Sequence, residues 1–281
     1  MAGPDGGTGG DHAQVVAAYE QAVAAQRVQA ARDPADRLGL AAALNNLGML
    51  HDTLGRHEDA VTALEEAVAV FRGVASASPA HRYEFAIVVT NLGLVRVPTG
   101  RHAEVLDAFG EAVSWWRALV ADDPARLPDL VGGLLKLGNQ CVQAGRHEES
   151  VRVHEEAVVL VRHLDGAPGL VGALTNLAIS RSAVGRLAEA VAPAEEVVAL
   201  LRAQAAADPR HRPDLAVALN NLGLTYGEVG RRADAVGTAE EAVALLRGLA
   251  AEDPAFQPAL ERVSANLDNH RRAVGDPRRM G

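Results

Sequence analysis

Asn45-Asn46-Leu47-Gly48 returns along the chain as Thr90-Asn91-Leu92-Gly93, Lys136-Leu137-Gly138, Thr175-Asn176-Leu177-Ala178, Asn220-Asn221-Leu222-Gly223 and Ala265-Asn266-Leu267-Asp268. The central leucines stand 45, 45, 40, 45 and 45 residues apart. A fixed period of this size marks an array in which each repeat is one supersecondary unit that buries its apolar face on the next. Such arrays present extended surfaces, so the functional expectation moves from catalysis towards binding.

One repeat can be read from Pro34 to Pro79. Asp33-Pro34 breaks the preceding helix, because proline lacks the backbone donor a helix interior needs. Leu40, Leu44, Leu47 and Leu54 then fall at helical spacing, with Gly48 and His51 on the same face. This is helix A, expected over residues 36–54. Gly55 ends it as a left-handed C′ residue. Arg56-His57-Glu58-Asp59 opens helix B with acidic groups near its positive N-terminus. Ala60, Leu64, Ala67, Val68 and Phe71 make its buried stripe, and it fades near Ser76-Ala77-Ser78-Pro79.

The punctuation recurs on schedule. Gly55, Gly100, Gly145, Gly185, Gly230 and Gly275 mark turns from A to B, and Ser78-Pro79, Asp123-Pro124, Asp208-Pro209 and Asp253-Pro254 mark breaks from B to A. Glu20-Gln21-Ala22-Val23 is in phase with Glu65-Glu66-Ala67-Val68, so the array opens on a lone helix B near residues 13–31 and closes on a lone helix A near 258–274. Twelve helices are expected. Residues 1–11 are expected as a disordered tail, 12–275 as one solenoid, and 276–281 as a C-terminal tail. The fourth repeat is five residues short around Asp165-Gly166-Ala167-Pro168, Pro193 should kink its helix B, and Pro98 should end helix A of the second repeat early.

These residues resemble tetratricopeptide repeats. Leu47-Gly48 with Ala60 and Ala67, and Leu222-Gly223 with Tyr226, Ala235 and Ala242, match that family's pattern of Leu-Gly in helix A and small residues in helix B. The family's helix A tryptophan is leucine here, as at Leu44, and its terminal proline is arginine. Its usual period is about 34, so helices or loops must be longer in this chain. The longer form, with its Asn-Asn-Leu-Gly phrase, is similar to kinesin light chain repeats and their bacterial relatives. The resemblance implies an all-α, right-handed superhelical solenoid of antiparallel helix pairs whose A helices line a concave groove.

Composition fits that fold. Apolar residues are 48% and aromatics 3%, so the core is built from Ala, Val and Leu. A net charge of −9 without a basic stretch argues against nucleic acid, which needs cations to neutralise phosphates. The one cysteine, Cys141, excludes an intrachain disulfide and a Cys-rich metal site. No apolar run has the length of a membrane span, and the start has no secretory pattern. The chain is therefore expected in the cytoplasm, with no membrane partner. Lys136 is the only lysine among 27 lysines and arginines, a usage that points to a GC-rich, actinobacterial genome.

Candidate contact residues follow from helical geometry. At 100° per residue, Asn46 points roughly 140° from the Leu44–Leu47–Gly48–His51 stripe and Asn45 roughly 120° away on the other flank. The inner position therefore reads Asn46, Asn91, Lys136, Asn176, Asn221 and Asn266. An amide offers donors and an acceptor, so such a column could hold the main chain of an extended peptide, a use the resemblance also implies. It could equally be a ladder of hydrogen bonds between repeats. Lys136 with Asn139 could add contact to a carboxylate. A second column, Arg27, Arg72, Arg117, Arg162, Arg202 and Arg247, stands late in each helix B. It reads as a complement to the helix dipole and as ion pairs between repeats, and the arginines after each turn glycine read the same way. His57, His102 and His147 belong to different repeats and lack metal-ligand spacing. Trp116 should be core and Trp115 exposed.

No phosphate loop, His-Glu-x-x-His or Gly-x-Ser-x-Gly occurs. The expected function is a non-catalytic scaffold for a protein or peptide, with no cofactor and no metal. Two alternatives remain: a sensor module acting with an ATPase or protease on another chain, and a self-associating array that forms a homodimer through a terminal helix.

Overall fold

The computed structural model describes residues 8–167 and 169–275. The expected tails at 1–7 and 276–281, and Pro168, lie outside the described residues. Twelve α-helices and no strand occur among the described residues. They form two compact units that divide between Ala144 and Gly145. The first holds α1 (Thr8–Arg32), α2 (Arg37–Thr53), α3 (His57–Ala77), α4 (Arg82–Arg96), α5 (His102–Asp122) and α6 (Leu127–Gln143). The second holds α7 (His147–Val161), α8 (Leu170–Ala183), α9 (Leu187–Ala207), α10 (Arg212–Glu228), α11 (Arg232–Glu252) and α12 (Gln257–Gly275). Within each unit every helix packs on its neighbours in sequence, and A helices of successive repeats touch, as α2 does α4 and α10 does α12. Each unit is an all-α solenoid of antiparallel helix pairs.

The extra length of the period goes into the helices: α2 and α10 have 17 residues, and α3, α5, α9 and α11 have 21. Their ends are written in the sequence. Asp33, Asp123, Asp208 and Asp253 are extended, and each carboxylate accepts from the backbone N–H two residues on, at 2.8–3.0 Å. That bond caps a single 3-10 turn with proline at its first position, where the missing N–H costs nothing. Gly55, Gly100, Gly145, Gly185 and Gly230 have φ of 72–79°, which only glycine adopts without strain. Gly275 departs from the expected series, being the last residue of α12 rather than a left-handed turn. α1 also starts earlier than expected, so residues 8–11 are helical. α4 stops at Arg96 before Pro98, as its proline requires.

The core is the predicted stripe. Leu44, Leu64, Ala60 and Ala67 are buried, as are Ala235 and Ala242. The recurring register glycine of helix A is a packing requirement: a Cβ on Gly48 would lie 2.8 Å from Leu64 Cγ and 3.1 Å from the Ala60 carbonyl. On Gly93 it would meet three ring carbons of Phe109 at 2.9–3.0 Å. In the fourth repeat Ala178 stands at that register with Ala194 in the facing helix B slot, and both are buried. Volume is exchanged across the crossing, as close packing demands.

α9 runs through the buried Pro193. Proline deprives the Glu189 carbonyl of its helical donor, and Arg181 Nη1 of α8 donates to that carbonyl at 2.9 Å. Where the Asp-Pro break is missing, the chain turns through Gly166 and Ala167, at φ 67° and 43°, and enters α8 from Gly169 at φ 83°.

Candidate functional site

The inner column resolves into two kinds of position. Asn91 Nδ2 on α4 donates to Asn45 Oδ1 on α2 at 2.9 Å, and Asn266 Nδ2 on α12 donates to Asn220 Oδ1 on α10 at the same distance. Each bond joins the inner position of one repeat to the preceding column, one residue earlier, in the repeat before. That preceding column reads Asn45, Thr90, Leu135, Thr175, Asn220 and Ala265. Where it holds asparagine, the next repeat's inner amide is bonded across the joint. Where it holds threonine the hydroxyl turns inward: Thr90 Oγ1 donates to the Ala86 carbonyl at 2.7 Å and Thr175 Oγ1 to that of Val171 at 2.8 Å. Among the described residues Asn221, opposite Thr175, makes no bond across the joint; its oxygen takes a long 3.5 Å bond from Asn220 Nδ2.

Asn46 is exposed and accepts from Asn45 Nδ2 at 3.4 Å. Lys136 is half-buried, with Nζ 3.5 Å from the Gly132 carbonyl of its own helix, and Asn139 is exposed. Asn176 is half-buried. Asn45, Asn220 and Thr175 decide which amides are occupied and were not among the sequence candidates.

Around Asn221 the second unit opens a cleft. α8 and α10 form its walls and α9 its floor. One end, about 490 Å³, is lined by Leu170, Val171, Leu200, His211, Asp214 and Val217 among others. The other, about 310 Å³, is lined by Ile179, Ser182, Ala194, Leu224 and Glu228 among others. Thr175, Val197, Ala218 and Asn221 line both. Ile179, Val217 and Leu224 are 40–51% exposed, so the cleft presents aliphatic surface to solvent rather than hiding it.

The arginine column joins repeats. Arg72 bonds both oxygens of Glu111 at 2.8 and 2.9 Å, and Arg27–Glu66, Arg162–Glu196 and Arg202–Glu241 repeat the pattern. Hydrogen bonding to Glu66 and to Glu241 holds the Arg27 and Arg202 guanidinium groups above their ordinary pKa. Arg101–Glu58, Arg186–Glu148 and Arg231–Glu195 do the same beside the turns. Tyr226 donates to Glu195 Oε1 at 2.6 Å, and burial, then this bond, pushes its phenol up to about 12. Burial lowers the His270 imidazole.

Other sequence candidates are structural. His57 Nδ1 bonds Asp52 Oδ1 at 3.0 Å, Cys141 is buried, and Trp116 is core. Trp115, expected to be exposed, is half-buried because its ring stands edge-on to Phe85 at 5.1 Å. A polar trio unmarked by the sequence, Ser150, His154 and Ser180, is fully buried between α7 and α8, with Ser180 Oγ 2.5 Å from Ser150 Oγ and 2.7 Å from His154 Nδ1. Among the described residues no three metal-ligating side chains gather, and no helix is long and apolar enough to cross a membrane.

Residues 40–81 and 215–253 match the tetratricopeptide repeat family, and residues 168–209 match anaphase-promoting complex subunit 5. No curated protein matches the chain. Among solved structures, BtubC (BKLC) from P. vanneervenii is similar at 18% identity and TM-score 0.64, covering 85% of this chain and 92% of that one. A Podosopora anserina kinesin light chain with nearly identical TPR-like repeats is 21% identical at TM-score 0.59, covering 75% and 95%. YrrB, described as a TPR protein with an unusual peptide-binding site, is 18% identical at TM-score 0.52, covering 79% and 92%.

Proposed function

We propose that this tetratricopeptide-repeat chain is a scaffold without chemistry of its own, which holds an extended segment of a partner protein along the inner face of its A helices. The fold is the tetratricopeptide-repeat fold, and YrrB, a TPR protein with an unusual peptide-binding site, supports the reading. The observation that carries the reading is Asn221: a donor group in the middle of an aliphatic cleft, not spent on the neighbouring repeat as Asn91 and Asn266 are. An amide there can pair with a main chain while the aliphatic walls take alternate side chains, a division of labour suited to extended peptides. Asn176 and Asn266 lie with Asn221 in the second unit, and Asn46, Asn91, Lys136 and Asn139 take the corresponding part in the first. The same reading places the chain in the cytoplasm.

Affinity capture from a lysate, read by mass spectrometry, tests this. A partner held by the wild type and lost from a folded Asn176→Ala/Asn221→Ala variant supports it. A partner retained by that variant moves the site elsewhere.

A second reading is self-association through α1. Val15, Tyr19 and Val28 are 39–53% exposed on that helix, an apolar surface that a second copy would cover. Light scattering of Val15→Ser/Tyr19→Ser against wild type tests it: one mass for both rejects the dimer.

A further inference from the structure

Resting on the groove reading, we infer that the cleft of the second unit selects a segment with an aliphatic centre and a basic residue at each end. The lining of the cleft contains two carboxylates, Asp214 and Glu228, and neither lysine nor arginine. Both carboxylates lie on α10, seven residues before and seven after Asn221. With a rise of 1.5 Å per residue they stand about 10 Å on either side of that amide, roughly 20 Å apart. An extended chain advances about 3.3 Å per residue, so three residues separate the amide from each carboxylate. Glu228 has no ion pair among the described residues, and Asp214 has only His211 Nδ1, at 3.9 Å. Elsewhere the carboxylates of this chain are engaged repeatedly by arginine, as Glu65, Glu148 and Glu195 are. The two cleft carboxylates are left facing open space at the ends of an aliphatic trough. Val217 and Leu224 lie between them, on the same face of α10 as Asn221, and Ile179 rises from α8.

The arrangement fixes a pattern: basic, two spacers, aliphatic, two spacers, basic. The central side chain sits by Val197 and Ala218 on the floor, its backbone pairs with Asn221, and the basic ends reach Asp214 and Glu228. A segment with acidic ends would set like charges together at both ends of the trough, which disfavours it.

The test uses the whole chain and three pools of blocked, fluorescein-labelled heptapeptides. The pools carry arginine, serine or glutamate at positions one and seven, and mixed leucine, isoleucine, valine and methionine at position four. Anisotropy should show the arginine pool binding about tenfold more tightly than the serine pool at low salt, as two partly exposed ion pairs allow, with glutamate weakest. Raising salt from about 50 mM to about 500 mM should shrink that preference. Asp214→Asn/Glu228→Gln changes only exposed groups; it should remove the preference of the arginine pool over the serine pool. Equal binding of the three pools, or a preference that survives the double variant, overturns the inference. Asn221→Ala separates it from the reading beneath it: if the pools bind equally and this variant weakens all of them, the groove stands and the charge selection falls. Binding by none of the pools overturns the assignment of this cleft.

Discussion

The glycine at the helix crossing allows a quantitative test within one unit. Gly93→Ala places a methyl 2.9–3.0 Å from three ring carbons of Phe109, whose side chain is 1% exposed and has nowhere to move. Overpacking of this kind costs about 1–3 kcal/mol. The same substitution returns about 0.5–1 kcal/mol of helix propensity, so the net loss is about 1 kcal/mol. Gly110→Ala is the control: it lies mid-way along α5 beside Phe109, and a Cβ there meets nothing within 4 Å. That variant should gain the propensity alone, about 0.5–1 kcal/mol. Propensity cancels between the two, so their difference measures the crossing. Trp115 and Trp116, the only tryptophans, both lie in α5 and report urea unfolding of this region by fluorescence. Phe109→Ala should cost about 3–5 kcal/mol in the wild type, and less by about the overpacking term in the Gly93→Ala background. Equal midpoints for Gly93→Ala and Gly110→Ala would refute the close-crossing account.

Asn45→Ala and Asn91→Ala should each destabilise the first unit, with a coupling of about 0.5–1.5 kcal/mol in a double-mutant cycle; strict additivity would show that their 2.9 Å bond contributes nothing. Arg181→Met should cost more than Glu155→Gln, because it also strips the Glu189 carbonyl of its donor; equal melting temperatures would remove that role. His270 is depressed by burial, so its folded form resists protonation. Its contribution is present above the ordinary histidine range, near 6.5, and is lost as pH falls through the folded value. Asn in its place should flatten the acid side of the stability profile, and an unchanged profile would count against it. Tyr226 is raised to about 12, so its stabilisation is complete below the ordinary phenol value and lost as pH rises through about 12; Tyr226→Phe should remove one late absorbance step from the alkaline titration.

The fold was legible because its signals are local and repeated. Leu47-Gly48, Gly55 and Asp123-Pro124 each dictate a crossing, a turn or a cap by their own chemistry, and each recurs at the period. Which helix A side chains stand off the buried stripe was legible too, from helical angle alone. What each amide on that face does was not, because it depends on a side chain one repeat back. Asn91 and Asn221 are the same residue in the same slot; Asn45 opposite the first and Thr175 opposite the second separate them. The alternation Asn45, Thr90, Thr175, Asn220 was visible in the sequence, but only a structure shows that the two columns face each other. Arg181 and Pro193, twelve residues apart on two helices, are similar: proline announces an orphaned carbonyl, while the donor that satisfies it is set by tertiary packing.

The paired columns also bear on how such a chain could diversify. Whether an inner amide is bonded across a joint between two repeats turns on one side chain, asparagine against threonine, and those residues are a single base apart in the genetic code. A Thr175→Asn change would offer Asn221 the acceptor that Asn91 and Asn266 already use, and would tie that amide to the neighbouring repeat without touching the core. The reverse change at position 45 or 220 would release an inner amide elsewhere. A lineage built on this array can therefore change which inner amides are tied to a neighbouring repeat by point substitution, while Leu-Gly, Asp-Pro and the arginine column keep the frame unaltered.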